Sequence, residues 1–133
     1  MKSFLGLMAL LVFFEGTWLY QNKPLEQSIS EGKEIYEDFC LQCHLDNGEG
    51  VSGVFPPLAK SDYLLNNIDL SIKGIKYGLR GPIVVNDEEY DGIMQNQGLD
   101  DGEIADVMNY ILNNWGNKYA EMITLDRVAG ITE

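Results

Sequence analysis

Residues 40–44 read Cys40-Leu41-Gln42-Cys43-His44. On a helix, positions i, i+3 and i+4 share one side, so both thiols and the imidazole converge on a single patch. Two thiols placed this way can add to the two vinyl groups along one edge of a haem, and the adjacent imidazole then falls beneath the iron. The spacing Cys-x-x-Cys-His is the signature of covalent c-type haem attachment. Cys40 and Cys43 are the only two cysteines of the chain and His44 its one histidine, which excludes bis-histidine ligation within a single chain. Two other chemistries use part of the motif. Structural zinc wants four nitrogen or sulfur ligands, so a carboxylate would have to complete the set here. A redox-active Cys-x-x-Cys wants a thioredoxin-like strand and helix around it, whereas this motif follows a helical pattern and precedes a Gly/Pro loop.

With His44 as one axial ligand, the opposite iron position is left for a methionine, a water, a lysine or nothing. A thioether raises the potential. The methionines beyond the N-terminal apolar segment are Met94, Met108 and Met122. Met108 falls on the apolar stripe of a helix and reads as core. Met122 lies in the tail. Met94 sits in an irregular stretch between Gly92 and Gly98, where a loop side chain can swing over the iron without leaving a core position. Met94 is therefore the expected sixth ligand, and gap-filling is its competing role.

Upstream of the motif, Ile35, Tyr36, Phe39, Cys40 and Cys43 recur at three- and four-residue steps, which predicts a helix over residues 29–43. Ser28 with Glu31 offers a capping box, and Ser30 an alternative cap. Downstream, Asn47-Gly48, Gly50, Gly53 and Pro56-Pro57 predict a long loop, which needs something to pack on. Short helices are expected over 62–66, capped by Ser61, and over 70–79. Pro82-Ile83-Val84-Val85, Asn86-Asp87 and Glu88-Glu89-Tyr90 predict a small hairpin. Ile104, Val107, Met108, Ile111 and Leu112 form the stripe of a helix over 101–115, ended by Gly116. A short tail helix would start at Thr124.

The chain has 133 residues, enough for one domain. Its net charge of −12 argues against nucleic acid and against an anionic membrane surface as partners, and leaves room for a basic docking partner. At the N-terminus, Lys2 and the apolar run over residues 4–14 read as an export segment. Glu15 interrupts it, no clean cleavage site follows, and the unbroken run is short of the roughly 20 residues a span needs. Residues 1–20 are thus an export signal or an N-terminal membrane anchor, residues 21–28 a polar linker containing Pro24, and residues 29–133 the domain.

Taken together, these pieces resemble a class I monohaem cytochrome c of the small bacterial branch, over roughly residues 29–115. Gly32-Lys33-Glu34-Ile35-Tyr36 is similar to the family's first helix, in which a small residue and an aromatic pack on the last helix. Val54-Phe55-Pro56-Pro57-Leu58-Ala59 resembles the loop in which a proline carbonyl accepts the proximal histidine's ring N–H; Pro56 matches best, Pro57 is close behind, and Leu58 would pack on the haem. Gly92-Ile93-Met94 resembles the methionine loop, and residues 105–111 the last helix, with Val107 and Tyr110 against the first. One departure stands out: the family usually has proline after the ligand methionine, and here Gln95 follows Met94.

The resemblance implies a mostly α cytochrome c fold, with three to five helices around one haem and a small β-hairpin before the methionine loop. It implies one covalently bound haem c with His44/Met94 ligation, cofactor contacts from Cys40, Cys43, His44, Pro56, Leu58 and Met94, and no catalysis on a substrate. The function expected is single-electron transport in a respiratory or periplasmic redox chain. Partners would be transient redox proteins (an oxidase, a reductase or a dehydrogenase), and the site of action the periplasm or the outer face of the inner membrane. An open sixth position, as in a haem enzyme or sensor, is the alternative that Gln95 raises.

Overall fold

The computed structural model describes residues 23–133. The export or anchor segment expected over 1–20, and the start of the linker, lie outside the described residues. Among the described residues no helix is long and apolar enough to cross a membrane.

Six helical segments and one hairpin make up the described chain: α1 (Leu25–Phe39), α2 (Leu41–His44), α3 (Asp62–Asn66), α4 (Ile68–Tyr77), β1 (Ile83–Val85), β2 (Glu88–Tyr90), α5 (Asp101–Leu112) and α6 (Leu125–Ala129). The helix expected over 29–43 is two helices, because Cys40 relaxes to φ −113° and separates them. Its start also differs. Pro24 is the N-cap, so residues 25–28 of the expected linker are helical. Proline suits a helix entry because it has no N–H to leave unpaired. Ser28 is not a cap at all. It is fully buried inside α1 and donates its hydroxyl to Asp106 Oδ1 at 2.6 Å.

α1 and α5 cross at the centre of the molecule. Gly32 makes the crossing possible: a Cβ there would lie 2.0 Å from the Asp106 carbonyl oxygen. Four residues on, Tyr36 packs against Tyr110 and Trp115, with ring centroids 5.4 and 5.0 Å away. Phe39, expected on the same stripe, turns out of the core and is 45% exposed.

α5 begins with a full capping box. The Asp100 carboxylate accepts from the Gly102 and Glu103 amides, and Glu103 reaches back to the Asp100 amide. It ends at Leu112 rather than at residue 115, because the chain turns through Asn113 to Trp115, whose φ is +50°. Its buried surface is wider than a stripe. Residues 104–112 are all buried, including Asp106 and Asn109, and each of these polar groups has partners. Asn109 donates to Ser28 Oγ at 2.9 Å and to the Ile123 carbonyl at 2.8 Å, and accepts the Ile123 amide at 2.8 Å. A buried amide satisfied on this scale holds the tail against α5.

The shorter elements follow their local signals. Ser61 caps α3 and Thr124 caps α6 through their side-chain oxygens. α4 starts two residues before the expected 70 and stops at Tyr77. β1 and β2 pair antiparallel, with Ile83 opposite Tyr90 and Val85 opposite Glu88. Asn86 and Asp87 both have positive φ, 50° and 65°, which matches the type I′ turn that short hairpins favour.

Candidate functional site

The Cys40–His44 turn is held on two sides. The His44 amide donates to the Cys40 carbonyl at 3.0 Å, and the Gly50 amide to the His44 carbonyl at 3.0 Å. Beyond it the expected loop folds back on itself. Leu58 and Ala59 both donate to the Gly48 carbonyl, at 2.7 and 2.9 Å. This brings Pro56 under the imidazole, with its carbonyl oxygen 3.0 Å from His44 Nδ1. A carbonyl can only accept, so the proton sits on Nδ1 and Nε2 keeps its lone pair for a metal. Burial pushes the His44 imidazole below its ordinary value, and the Pro56 contact partly opposes that. A neutral ring is the form that binds iron.

Cys40, Cys43, His44, Pro56 and Met94 line one cleft of about 230 Å³. Its remaining walls are mostly apolar, among them Phe55, Ile75, Leu79 and Ile83. An inner lobe of about 90 Å³ is lined by Leu58, Leu64, Met108 and Ile111 as well as by His44 and Met94. Among the described residues no carboxylate, lysine or arginine lines the cleft. The mouth carries Phe39, Val54 and Ile93, which are 45%, 52% and 59% exposed.

All six residues singled out in the sequence thus come to one place. Leu58 reaches it from the inner lobe, half-buried against the core. Met108 is fully buried in the core. Met122 lines a separate small cavity with Lys23, Ser28 and Asp106. Several contributors carried no local sequence signal. Asn117 donates to the Leu58 and Ile111 carbonyls, both at 2.9 Å, and accepts the Lys60 amide at 2.7 Å, fixing the loop that bears Pro56 and Leu58. Leu79 pairs with Met94 in an isolated antiparallel bridge.

The donor set fits a haem better than its rivals. An apolar slot with one imidazole, one thioether and two thiols suits a flat macrocycle with an iron at its centre. Burial first, and the neighbouring Cys43 second, push the Cys40 thiol up to about 12, the reverse of what a reactive thiolate needs. Among the described residues Cys40, Cys43 and His44 share the cleft with no carboxylate, and their side chains are not arranged to hold a metal ion together, whereas structural zinc wants four ligands.

Comparison with known proteins agrees with this geometry. The family model described as Cytochrome c matches residues 29–115. Cytochrome c-552 of Thermus thermophilus is 39% identical over 93 residues, which span 66% of this chain and 70% of that protein. A second Thermus thermophilus cytochrome c-552 is also 39% identical, with 62% of its length covered. The cytochrome c subunit of a quinone alcohol dehydrogenase from Gluconobacter oxydans is 31% identical over 90 residues, 65% of this chain but only 18% of that longer subunit. The chain belongs to the cytochrome c family, whose members carry electrons on covalently attached haem c.

Proposed function

We propose that this cytochrome passes single electrons between redox proteins outside the cytoplasm, with its haem iron held between His44 and Met94. The observation that carries the reading is that both side chains line the same largely apolar cleft as Cys40 and Cys43. The haem supplies a one-electron couple when bound. The protein's part is to hold and shield it. Cys40 and Cys43 anchor one edge. The Pro56 carbonyl fixes the ring orientation and tautomer of His44. Met94 is the thioether donor, and Leu58 and Ile75 exclude water from the interior. Phe39, Val54 and Ile93 present an apolar rim on which a partner docks briefly.

Of the partners expected, an oxidase, a reductase or a dehydrogenase, the relatives support the last, since one set is named as cytochrome c subunits of a quinone alcohol dehydrogenase. The N-terminal apolar run supports export, to the periplasm or to an anchored position on the outer face of the inner membrane.

The test is the exported, haem-loaded protein. Its mass should rise by one haem and stay raised after denaturation. Met94→Ala should keep that mass, open the ferrous iron to carbon monoxide and lower the potential. His44→Ala should lose low-spin haem. A parent protein that itself binds carbon monoxide at neutral pH would overturn the two-ligand reading and favour a sensor or enzyme.

A further inference from the structure

Between Tyr90 and Asp101 the chain forms neither helix nor strand, yet this is the stretch that carries Met94. Its backbone is pinned at that residue. The Met94 amide donates to the Leu79 carbonyl at 3.0 Å, and the Leu79 amide donates back to the Met94 carbonyl at 2.9 Å. Leu79 follows Gly78, the residue that ends α4 with φ +89° and ψ 164°, a conformation open essentially to glycine alone. Gly78 also lets the two segments approach. A Cβ there would lie 3.0 Å from the Met94 carbonyl oxygen and 3.4 Å from the Asn96 amide nitrogen.

The other side of this clasp is firmly seated. Lys76 Nζ reaches Asp101 Oδ1 and the Val128 carbonyl, each at 2.9 Å, and the Ile131 carbonyl at 3.3 Å. The Tyr77 hydroxyl donates to the Ile131 carbonyl at 3.0 Å. The last turn of α4 is thus tied to α5 and to the tail, and Leu79 offers Met94 a fixed edge.

We infer that Gly78 and the Leu79 main chain are the positioning element for Met94, holding its backbone so that the thioether stays poised over the cleft. The inference rests on Met94 as iron ligand. A methionine side chain has three rotatable bonds and orders at an entropic cost. Fixing its main chain removes the loop's share of that cost, and so keeps the ligand-off state rare. An exogenous ligand can bind only in that off state, so its apparent affinity reports the fraction of time the thioether is off the iron.

The experiment uses the haem-loaded full chain in the ferric state, with imidazole as probe and absorbance as readout. Gly78→Ala is expected to raise the apparent imidazole affinity about tenfold over the parent, and to weaken the long-wavelength band that marks thioether bound to ferric iron. Gly53→Ala is the control. Gly53 also has positive φ, +70°, but a Cβ there would meet nothing closer than Glu88 Oε1 at 3.8 Å, so imidazole affinity and band should stay at parental values. Met94→Ala sets the open limit. If Met94→Ala changes neither readout, the ligand reading itself falls. If it opens the iron while Gly78→Ala behaves like Gly53→Ala, the ligand stands and the positioning role is overturned.

A second measurement needs no variant and covers the case in which Gly78→Ala does not fold. In the parent protein the Leu79 and Met94 amides should exchange slowly with solvent, and saturating imidazole should release both together. Fast exchange at either amide without imidazole, or protection unchanged at saturation, overturns the proposal.

Discussion

Tyr36 donates its hydroxyl to the Leu45 carbonyl at 2.7 Å, clipping the last turn of α1 to the residue that follows His44. Leu45 has φ +63°, an uncommon conformation for a side-chain-bearing residue. The clip therefore restrains a strained turn immediately beside the imidazole. Tyr36→Phe keeps the aromatic packing on Tyr110 and Trp115 and deletes only this bond. We expect a stability loss of about 1 kcal/mol, the net worth of one hydrogen bond, since the Leu45 carbonyl keeps the Gly48 amide as a donor at 3.1 Å. The denaturant midpoint should fall with an unchanged slope, and the neutral-pH haem spectrum should stay as in the parent. A midpoint equal to the parent's would show that the hydroxyl does not restrain the turn.

Gly32→Ala sets two effects of opposite sign against each other. Alanine is favoured over glycine inside a helix by about 1 kcal/mol. At this position, however, the added carbon would lie 2.0 Å from the Asp106 carbonyl oxygen and 3.0 Å from Tyr110 Cβ, and the near atom is backbone. α1 and α5 would have to move apart along their crossing. Overpacking of this kind costs about 1–3 kcal/mol, occasionally more, so net destabilisation is expected in urea unfolding. A stabilised variant would mean that the two helices can separate freely.

Much of this could be read from local chemistry, and what could not has a common cause. Ser61, Thr124 and the Asn86-Asp87 turn act within a few residues of themselves, so their signals survive in the bare sequence. The Cys40–His44 spacing does too, because a helix turns adjacency into geometry. Ser28 looks the same as those caps, yet its partner Asp106 lies 78 positions away, and no local pattern distinguishes a cap from a buried serine. Asn109 and Asn117 sit on or beyond a helix that reads as amphipathic, and only the tail folding over them makes their faces interior. The Leu79–Met94 pairing is made of main chain alone and leaves no residue type to recognise. The early start of α1 was hidden by Pro24, which reads equally as a linker or as a helix entry.

Lys23 supplies one ammonium to two carboxylates, Glu31 and Asp106, and these shift in opposite directions. The Lys23 hydrogen bond holds Glu31 below its ordinary value. Burial raises Asp106 above its ordinary 3.8, although Lys23 and Ser28 work against that. A carboxyl raised on folding binds more protons in the native state than in the unfolded one. Its contribution to stability therefore falls as pH climbs from 3.8 to the raised value, and is level beyond it. Glu31 does the reverse, and its stabilisation is lost as pH falls through its depressed value. In Asp106→Asn the first effect disappears while Lys23 keeps Glu31. The stability difference, parent minus variant, should therefore shrink as pH rises from about 4 towards neutrality. Denaturant midpoints measured for both proteins across that range check it, and a difference that grows with pH would contradict a raised Asp106.

Charge and rim predict a two-part salt dependence of electron transfer. The protein carries a net charge of −12, whereas the cleft mouth offers Phe39, Val54 and Ile93 and, among the described residues, no charged lining. Long-range attraction should therefore come from the body of the protein, and the final contact from apolar surface. The first is screened as ionic strength rises, over a Debye length of about 10 Å at 0.1 M. The second is not. With a basic redox partner, the second-order rate followed by stopped flow should fall with salt and then level off. Phe39→Ser and Ile93→Ser should lower the high-salt plateau and leave the slope at low salt unchanged, because neither alters charge. A rate that keeps falling towards zero at high salt would assign docking to ion pairs. A plateau indifferent to both substitutions would place the contact away from the cleft mouth.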